Sequence, residues 1–151
     1  MKIRDRIDPF IAFQFSIKVD GGANPTGFFT EVDGLGSEHD VIEHKVVDEN
    51  GQEVVHMMPG RLKWNPVTLK RGITTDMSFW EWRRQVVEGD LEGARANATI
   101  SMHDPEGNIV AEWTLDFSWP SKITGPTMKT DSNEFGLEEV TIVHEGMRRT
   151  L

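Results

Sequence analysis

No cysteine stands anywhere in the 151 residues. Its absence excludes disulfide frameworks, thiolate zinc sites and thiol catalysis, and suits folding in a reducing compartment. No stretch approaches the ~20 consecutive apolar residues of a membrane helix. The opening MKIRDRIDPF has no apolar h-region, so a soluble chain made in the cytoplasm without a signal peptide is expected. Basic residues are outnumbered by acidic ones, 16 to 25, for a net charge of −9. Phosphate contact needs Lys and Arg, and DNA-binding domains carry a basic face, so direct nucleic-acid binding is disfavoured. G-x-S-x-G, P-loop and G-x-G-x-x-G motifs are all missing. A length of 151 residues suits one domain spanning 1–151. A chain of this size buries roughly 68–70% of its unfolded surface, enough for a core without staples.

What the chain does contain is alternation. In 12–19, Phe13, Phe15, Ile17 and Val19 share one face opposite Gln14, Ser16 and Lys18. In 109–117, Ile109, Ala111, Trp113, Leu115 and Phe117 oppose Glu112, Thr114 and Asp116, and in 98–103 Ala98, Ile100 and Met102 oppose Thr99, Ser101 and His103. A period of two marks half-buried antiparallel strands. Further strands are predicted at 27–33, 41–47, 53–58, 66–71 and 137–145, seven or eight in all.

Turn residues separate them. DPEGN (104–108) predicts a hairpin, with Pro105 pre-setting φ and Gly107 free to take positive φ. Asn50-Gly51 within DENGQ (48–52) is the strongest short hairpin signal. DGGANPTG (20–27) reads as a longer loop, and 122–136 is too long and polar for a tight turn. One segment follows a different period. Phe79, Trp82 and Val86 recur at helical spacing, widened by Trp80 and Val87, which predicts one short helix over about 76–88. Thr75 or Asp76 would cap it, or Ser78 and Glu81 as a capping box, and Gly89 would end it.

Catalytic and ligand-binding arrangements are weak. HDVIEH (39–44) spaces its histidines five apart, whereas a zincin helix needs H-E-x-x-H, and Val41-Ile42 favours a strand. A hydrolase using His39, Asp40 and His44 would be metal-dependent. DENGQE (48–53) places its glycine at the fourth position, where a calcium loop needs it at the sixth. Asn97-Ala98-Thr99 matches a glycosylation sequon without a secretion signal. Five tryptophans could stack sugars in a glycan-binding β-sandwich, but most fall at apolar-face positions that suit a core or interface. No enzyme, metal or cofactor is expected. A lone β domain must also guard its sheet edges, and pairing them between identical subunits in a closed ring is one solution.

Three segments carry a family resemblance. DPFIAFQFSIKVDG (8–21), GFFTEVDGLG (27–36) and MPGRLKWNPVTLKRGITTDMSFWEW (58–82) resemble, in order, segments of the tail tube proteins of contractile phage tails and extracellular contractile injection systems. Thr30 and Asp33 replace residues that are often smaller or apolar in that family. The resemblance implies a mainly β, antiparallel sandwich or barrel-like subunit with one flanking helix. Six subunits would close into a ring with a continuous β-barrel around a lumen, and the rings would stack into a rigid tube. It implies an inter-ring stacking hairpin at Asp48, Glu49, Asn50, Gly51, Gln52 and Glu53. Subunit contacts are expected at Lys70, Arg71, Trp80, Trp82 and Arg83, with Val67 and Leu69 facing the core and Lys70 and Arg71 reaching acidic groups of a neighbour. Glu43 and Lys45 are candidates for the lumen wall. The implied partners are further copies of the chain, a contractile sheath, a baseplate or tube initiator, and protein or DNA cargo. The implied destination is an extracellular particle or virion tail. A baseplate-proximal initiator or a type VI secretion tube subunit of the same fold is the nearest alternative.

Overall fold

The computed structural model describes residues 13–21, 28–126 and 136–151. The start of the 8–21 segment, most of loop 20–27 and positions 127–135 of loop 122–136 lie outside the described residues. The alternating segments form β1 (Gln14–Val19), β6 (Ala96–His103) and β7 (Ile109–Thr124). With β8 (Leu137–Val143), β5 (Val67–Gly72) and β2 (Glu31–Asp33) they make an antiparallel path in the order β1-β6-β7-β8-β5-β2. Phe29, just before β2, exchanges two backbone hydrogen bonds with Phe15 of β1 at 3.1 and 2.6 Å. The two ends of the path therefore meet, and the sheet curls into a barrel-like sandwich. Closure satisfies edges that would otherwise offer free N–H and C=O groups. A short β9 (Gly146–Arg149) adds to β7.

The inner face follows the alternation. Ile17, Val19, Val67, Leu69, Ala98, Ile100, Leu115, Val140 and Ile142 are buried together with Phe29. The helix α1 (Ser78–Val87) lies along β7 and contributes Phe79 and Trp82 to this cluster. Phe79 stands edge-on to Phe29 with ring centroids 5.4 Å apart, a favoured arrangement for aromatic pairs. Val86 is half-buried against the core, but Trp80 and Val87 are exposed, so the apolar stripe is narrower than predicted. Met77 occupies the cap position, and Asp76 Oδ1, one residue further out, accepts from Ser78 N at 3.1 Å. Gly89, at φ +92°, follows the last turn, the left-handed position that glycine fills after a helix.

The strands outnumber and outrun the expectation: nine are formed among the described residues, with a second helix, α2 (Leu91–Ala94). Asp90 caps α2 by accepting from Gly93 N at 3.0 Å. Four residues are too few to show a period. The predicted strand 137–145 divides at His144 and Glu145 into β8 and β9. β7 continues to Thr124 because Phe117, at φ +50°, makes a corner. β7 pairs with β9 before the corner and with β6 up to Ser118, and from Trp119 onward it pairs with β8. A strand that turns a sandwich corner does so at a bulge or bend.

The predicted strands 41–47 and 53–58 lengthen into β3 (Ser37–Val47) and β4 (Glu53–Trp64). These two pair with each other and with no other strand among the described residues. Both predicted hairpin tips form, and by the same device. Asp48 Oδ1 accepts from Asn50 N and Gln52 N, and Asp104 Oδ1 accepts from Glu106 N and Asn108 N. Gly51 and Gly107 take positive φ, +77° and +91°.

Candidate assembly surface

The basic run Val67–Gly72 before the helix resolves by the parity of β5. Val67, Leu69 and Arg71 point inward, all at 3% exposure or less. Arg71 Nε donates to Glu138 Oε2 at 2.9 Å, and Nη1 donates to Asp76 Oδ2 at 3.2 Å. Its guanidinium carbon lies 5.3 and 5.2 Å from the ring centroids of Phe29 and Phe79. The cation is thus paired with charge and faced by two aromatic rings, the company that makes burial of arginine tolerable. The expectation that Arg71 reaches a neighbouring subunit is corrected. Its guanidinium is committed to its own chain, pinning β8 and the start of α1 to β5.

The other expected contact residues divide. Trp82 is buried, with Nε1 donating to Ala94 O at 2.6 Å, so it joins α1 to α2 inside the subunit. Arg83 Nη1 donates to Pro120 O at 3.3 Å and ties α1 to β7. Lys70 lies on the outer face, 3.8 Å from Glu31 on β2 and opposite Glu139 on β8. Trp80 is the one exposed tryptophan of five, and it stands over Gly125. Among the described residues the tryptophans form no exposed stacked platform for a glycan. The proposed hydrolase set is dispersed along β3: Asp40 pairs with Lys63 at 3.0 Å, while His39 and His44 stand opposite Leu62 and His56.

The largest unpartnered feature is the β3–β4 ribbon, which sequence reading divided into two ordinary short strands. Its strands are 11 and 12 residues long. Exposed aliphatic residues occur along its whole length, from Val41, Ile42 and Leu62 to Met57, Met58, Val55 and Val47. Scattered apolar residues are ordinary on a protein surface, but a contiguous band marks an interaction site. A single two-stranded hairpin is marginally stable at best in water, so a ribbon of this length calls for cover. Glu43 and Lys45 project from one face, on which Lys45 approaches Glu53 at 4.0 Å. An exposed pair of this kind contributes little to stability.

The ribbon's root is rigid. Gly34, at φ +87°, passes so close to Pro66 O that a Cβ would collide with it. Asn65 N donates to Gly36 O at 3.2 Å. His144 Nε2 donates to Asn65 O at 3.2 Å, beside the Trp64 ring. The ribbon is therefore held at a fixed angle to the barrel.

Known proteins share this architecture. A chain of the sheath–tube complex of the extracellular contractile injection system PVC, in the extended state, superposes with a TM-score of 0.70 at 22% identity, over 98% of this chain and 95% of that one. A chain of the anti-feeding prophage tube terminating cap gives 0.69 at 22% identity, over 96% and 91%. Hcp1 from Salmonella typhimurium gives 0.54 at 12% identity, over 91% and 85%. No relative among the curated proteins matches the chain. The profile of one family, the T4-like virus tail tube protein gp19, matches residues 11–148, and the chain belongs to that family.

Proposed function

We propose that this chain is the inner-tube subunit of a contractile injection system or phage tail. Six copies close into a ring and the rings stack into a hollow tube. A sheath contracting around the tube drives it through a target envelope, and protein or DNA passes along the lumen. The chain acts mechanically, without catalysis or cofactor. The observation that carries the reading is the β3–β4 ribbon, which stands off the barrel with exposed aliphatic residues and, among the described residues, no strand paired to either outer edge. Ring closure among identical copies would cover it, as closed symmetry covers sheet edges.

Within that tube the acidic tip, Asp48 to Glu53, meets the next ring. Lys70 and Trp80 contact a neighbouring subunit, and Glu43 and Lys45 line the lumen. Charged groups placed so set register and suppress wrong pairings more than they add affinity. A sheath and a baseplate or initiator complete the particle, which ends outside the producing cell or in a virion tail. Negative-stain electron microscopy of the purified chain at low and high concentration tests the reading. Six-fold rings or hollow tubes are expected. Deleting 49–52 should leave a folded subunit and rings that fail to stack. Normal tubes from that deletion would sink the role given to the tip.

A further inference from the structure

The two hairpin tips are built alike but place their asparagines differently. In DENGQ (48–52) Asn50 is followed by Gly51, and in DPEGN (104–108) Asn108 is followed by Ile109. Asn50 and Gly51 are both exposed. Asn50 N donates to Asp48 Oδ1 at 2.9 Å, while the Asn50 carboxamide has no partner among the described residues. A Cβ added at Gly51 would meet nothing within 4 Å, so the space around this peptide is open. The remaining described asparagines differ. Asn65 precedes Pro66, which has no N–H. Asn97 precedes the buried Ala98, and its Oδ1 accepts from Phe117 N at 3.1 Å.

An asparagine carboxamide is an electrophile within reach of the backbone nitrogen that follows it. At the β3–β4 tip the Gly51 nitrogen would lose its proton to solvent base and bond to Asn50 Cγ. The carboxamide nitrogen takes up a proton and leaves as ammonia, closing a cyclic imide. Water then adds to either ring carbonyl and opens the ring, leaving aspartate or isoaspartate. One water is consumed and one ammonia released, with no other reactant. A side chain on the following residue crowds the attack. Glycine has none, whereas the β-branched Ile109 is bulky and stiff. Gly51 N donates to Asp48 O at 3.1 Å, so the turn must open before the ring can close. Exposed loops open locally at little cost in free energy.

We propose that Asn50 is a site of spontaneous deamidation, open in the free subunit and shielded in the stacked tube. The shielding rests on the tube reading, which sets this tip against the next ring. In the free chain the tip opens and the imide forms. Packing against another ring holds the turn closed and excludes water, so conversion slows. The product matters because the tip already carries Asp48, Glu49 and Glu53. A new aspartate is charged at neutral pH. Isoaspartate lengthens the backbone inside a turn that Asp48 Oδ1 holds by two hydrogen bonds. Both changes oppose stacking. Subunits that wait unassembled thus leave the pool that can extend a tube, while incorporated ones keep their fit.

The test incubates the full chain at pH 8 as unassembled subunit and as preformed tubes, with tryptic digestion at intervals. Cleavage after Lys45 and Arg61 gives a peptide whose one asparagine is Asn50, and cleavage after Arg95 and Lys122 gives a peptide holding Asn97 and Asn108. Mass spectrometry reads the exchange of amide for carboxyl, and chromatography separates the two isomers. In the unassembled chain the first peptide should convert while the second persists, and in tubes the first should convert severalfold more slowly. Asn50→Asp should form fewer tubes than wild type at equal concentration. Asn50→Gln should form as many and stay unconverted over the same time. Equal conversion of the two peptides in the unassembled chain overturns the site. Equal conversion of the first peptide in subunit and tube overturns the shielding, and normal tubes from Asn50→Asp overturn the effect on stacking. A wild type that forms no tubes overturns the tube reading and the shielding with it, whereas conversion of Asn50 in that free chain would still support the site.

Discussion

Arg71 and Glu138 stand directly opposite each other on β5 and β8, joined by a 2.9 Å hydrogen bond with side-chain exposures of 3% and 4%. Removing one member of such a pair leaves the other charge buried alone, at a cost of about 3–5 kcal/mol. Arg71→Met is expected to lose that much in urea unfolding. Replacing both partners by apolar residues of similar volume is often neutral or better. The double variant Arg71→Met/Glu138→Leu should therefore regain at least half of the loss. A single variant within about 0.5 kcal/mol of wild type would show that the pair is not what fixes α1 and β8 to β5.

The corner of β7 gives a second expectation. Phe117 is exposed yet holds φ +50°, and its N–H donates to Asn97 Oδ1 at 3.1 Å. A left-handed backbone costs a non-glycine residue roughly 1–2 kcal/mol, while glycine adds about 0.5–1 kcal/mol of unfolded-state entropy. Phe117→Gly should stabilise the isolated subunit by about 0.5–1 kcal/mol in thermal or urea melts. Asn97→Ala should do the opposite, by about 1 kcal/mol, through the loss of the corner's acceptor. A destabilised Phe117→Gly would mean that the ring contributes packing beyond what its exposure suggests.

Much of this was legible in sequence, and the failures have physical causes. Alternation in 12–19, 98–103 and 109–117 identified strands because each buries one face only. Asp48 and Asp104 opened both hairpins because an aspartate can accept from the two turn amides. Arg71 was misplaced because a cation in a strand reads as surface. The correcting signal was present: Arg71 shares parity with Val67 and Leu69, as Glu138 does with Val140 and Ile142. Two opposite charges, each in phase with two buried aliphatic residues, predict a paired buried ion. The length of β4 was hidden by Pro59, which sits opposite Val41 beside a bulge where a missing N–H is tolerated. The apolar ribbon was hidden because its aliphatic residues fall on both faces and so carry no period.

Gly34 should be intolerant of any side chain. Its φ of +87° strains other residues, and a Cβ would run into the backbone carbonyl of Pro66, which cannot move aside as a side chain can. Gly34→Ala should cost at least about 2 kcal/mol. Gly36→Ala is the natural control, since there a Cβ would meet only the Asn65 amide at 3.4 Å. Equal melting temperatures for the two variants would contradict a tightly built ribbon root.

The barrel and the ribbon should separate cleanly. The buried cluster contains no residue between Ser37 and Trp64. Those two residues are themselves register partners at the ribbon's base, so a two-residue Asn-Gly turn can join them directly, the loop length that antiparallel neighbours accept. A chain in which Asn-Gly replaces 38–63 should fold cooperatively, with a stability within about 1 kcal/mol of the parent, because the excised segment adds nothing to the core. The denaturant slope should fall, since less surface becomes exposed on unfolding. Assembly should vanish at every concentration, because the apolar band and its open edges go with the ribbon. Circular dichroism melts and sedimentation read the two outcomes independently. Loss of cooperative folding would show that the ribbon belongs to the subunit's own stability, whereas rings formed without it would show that the assembling surface lies on the barrel.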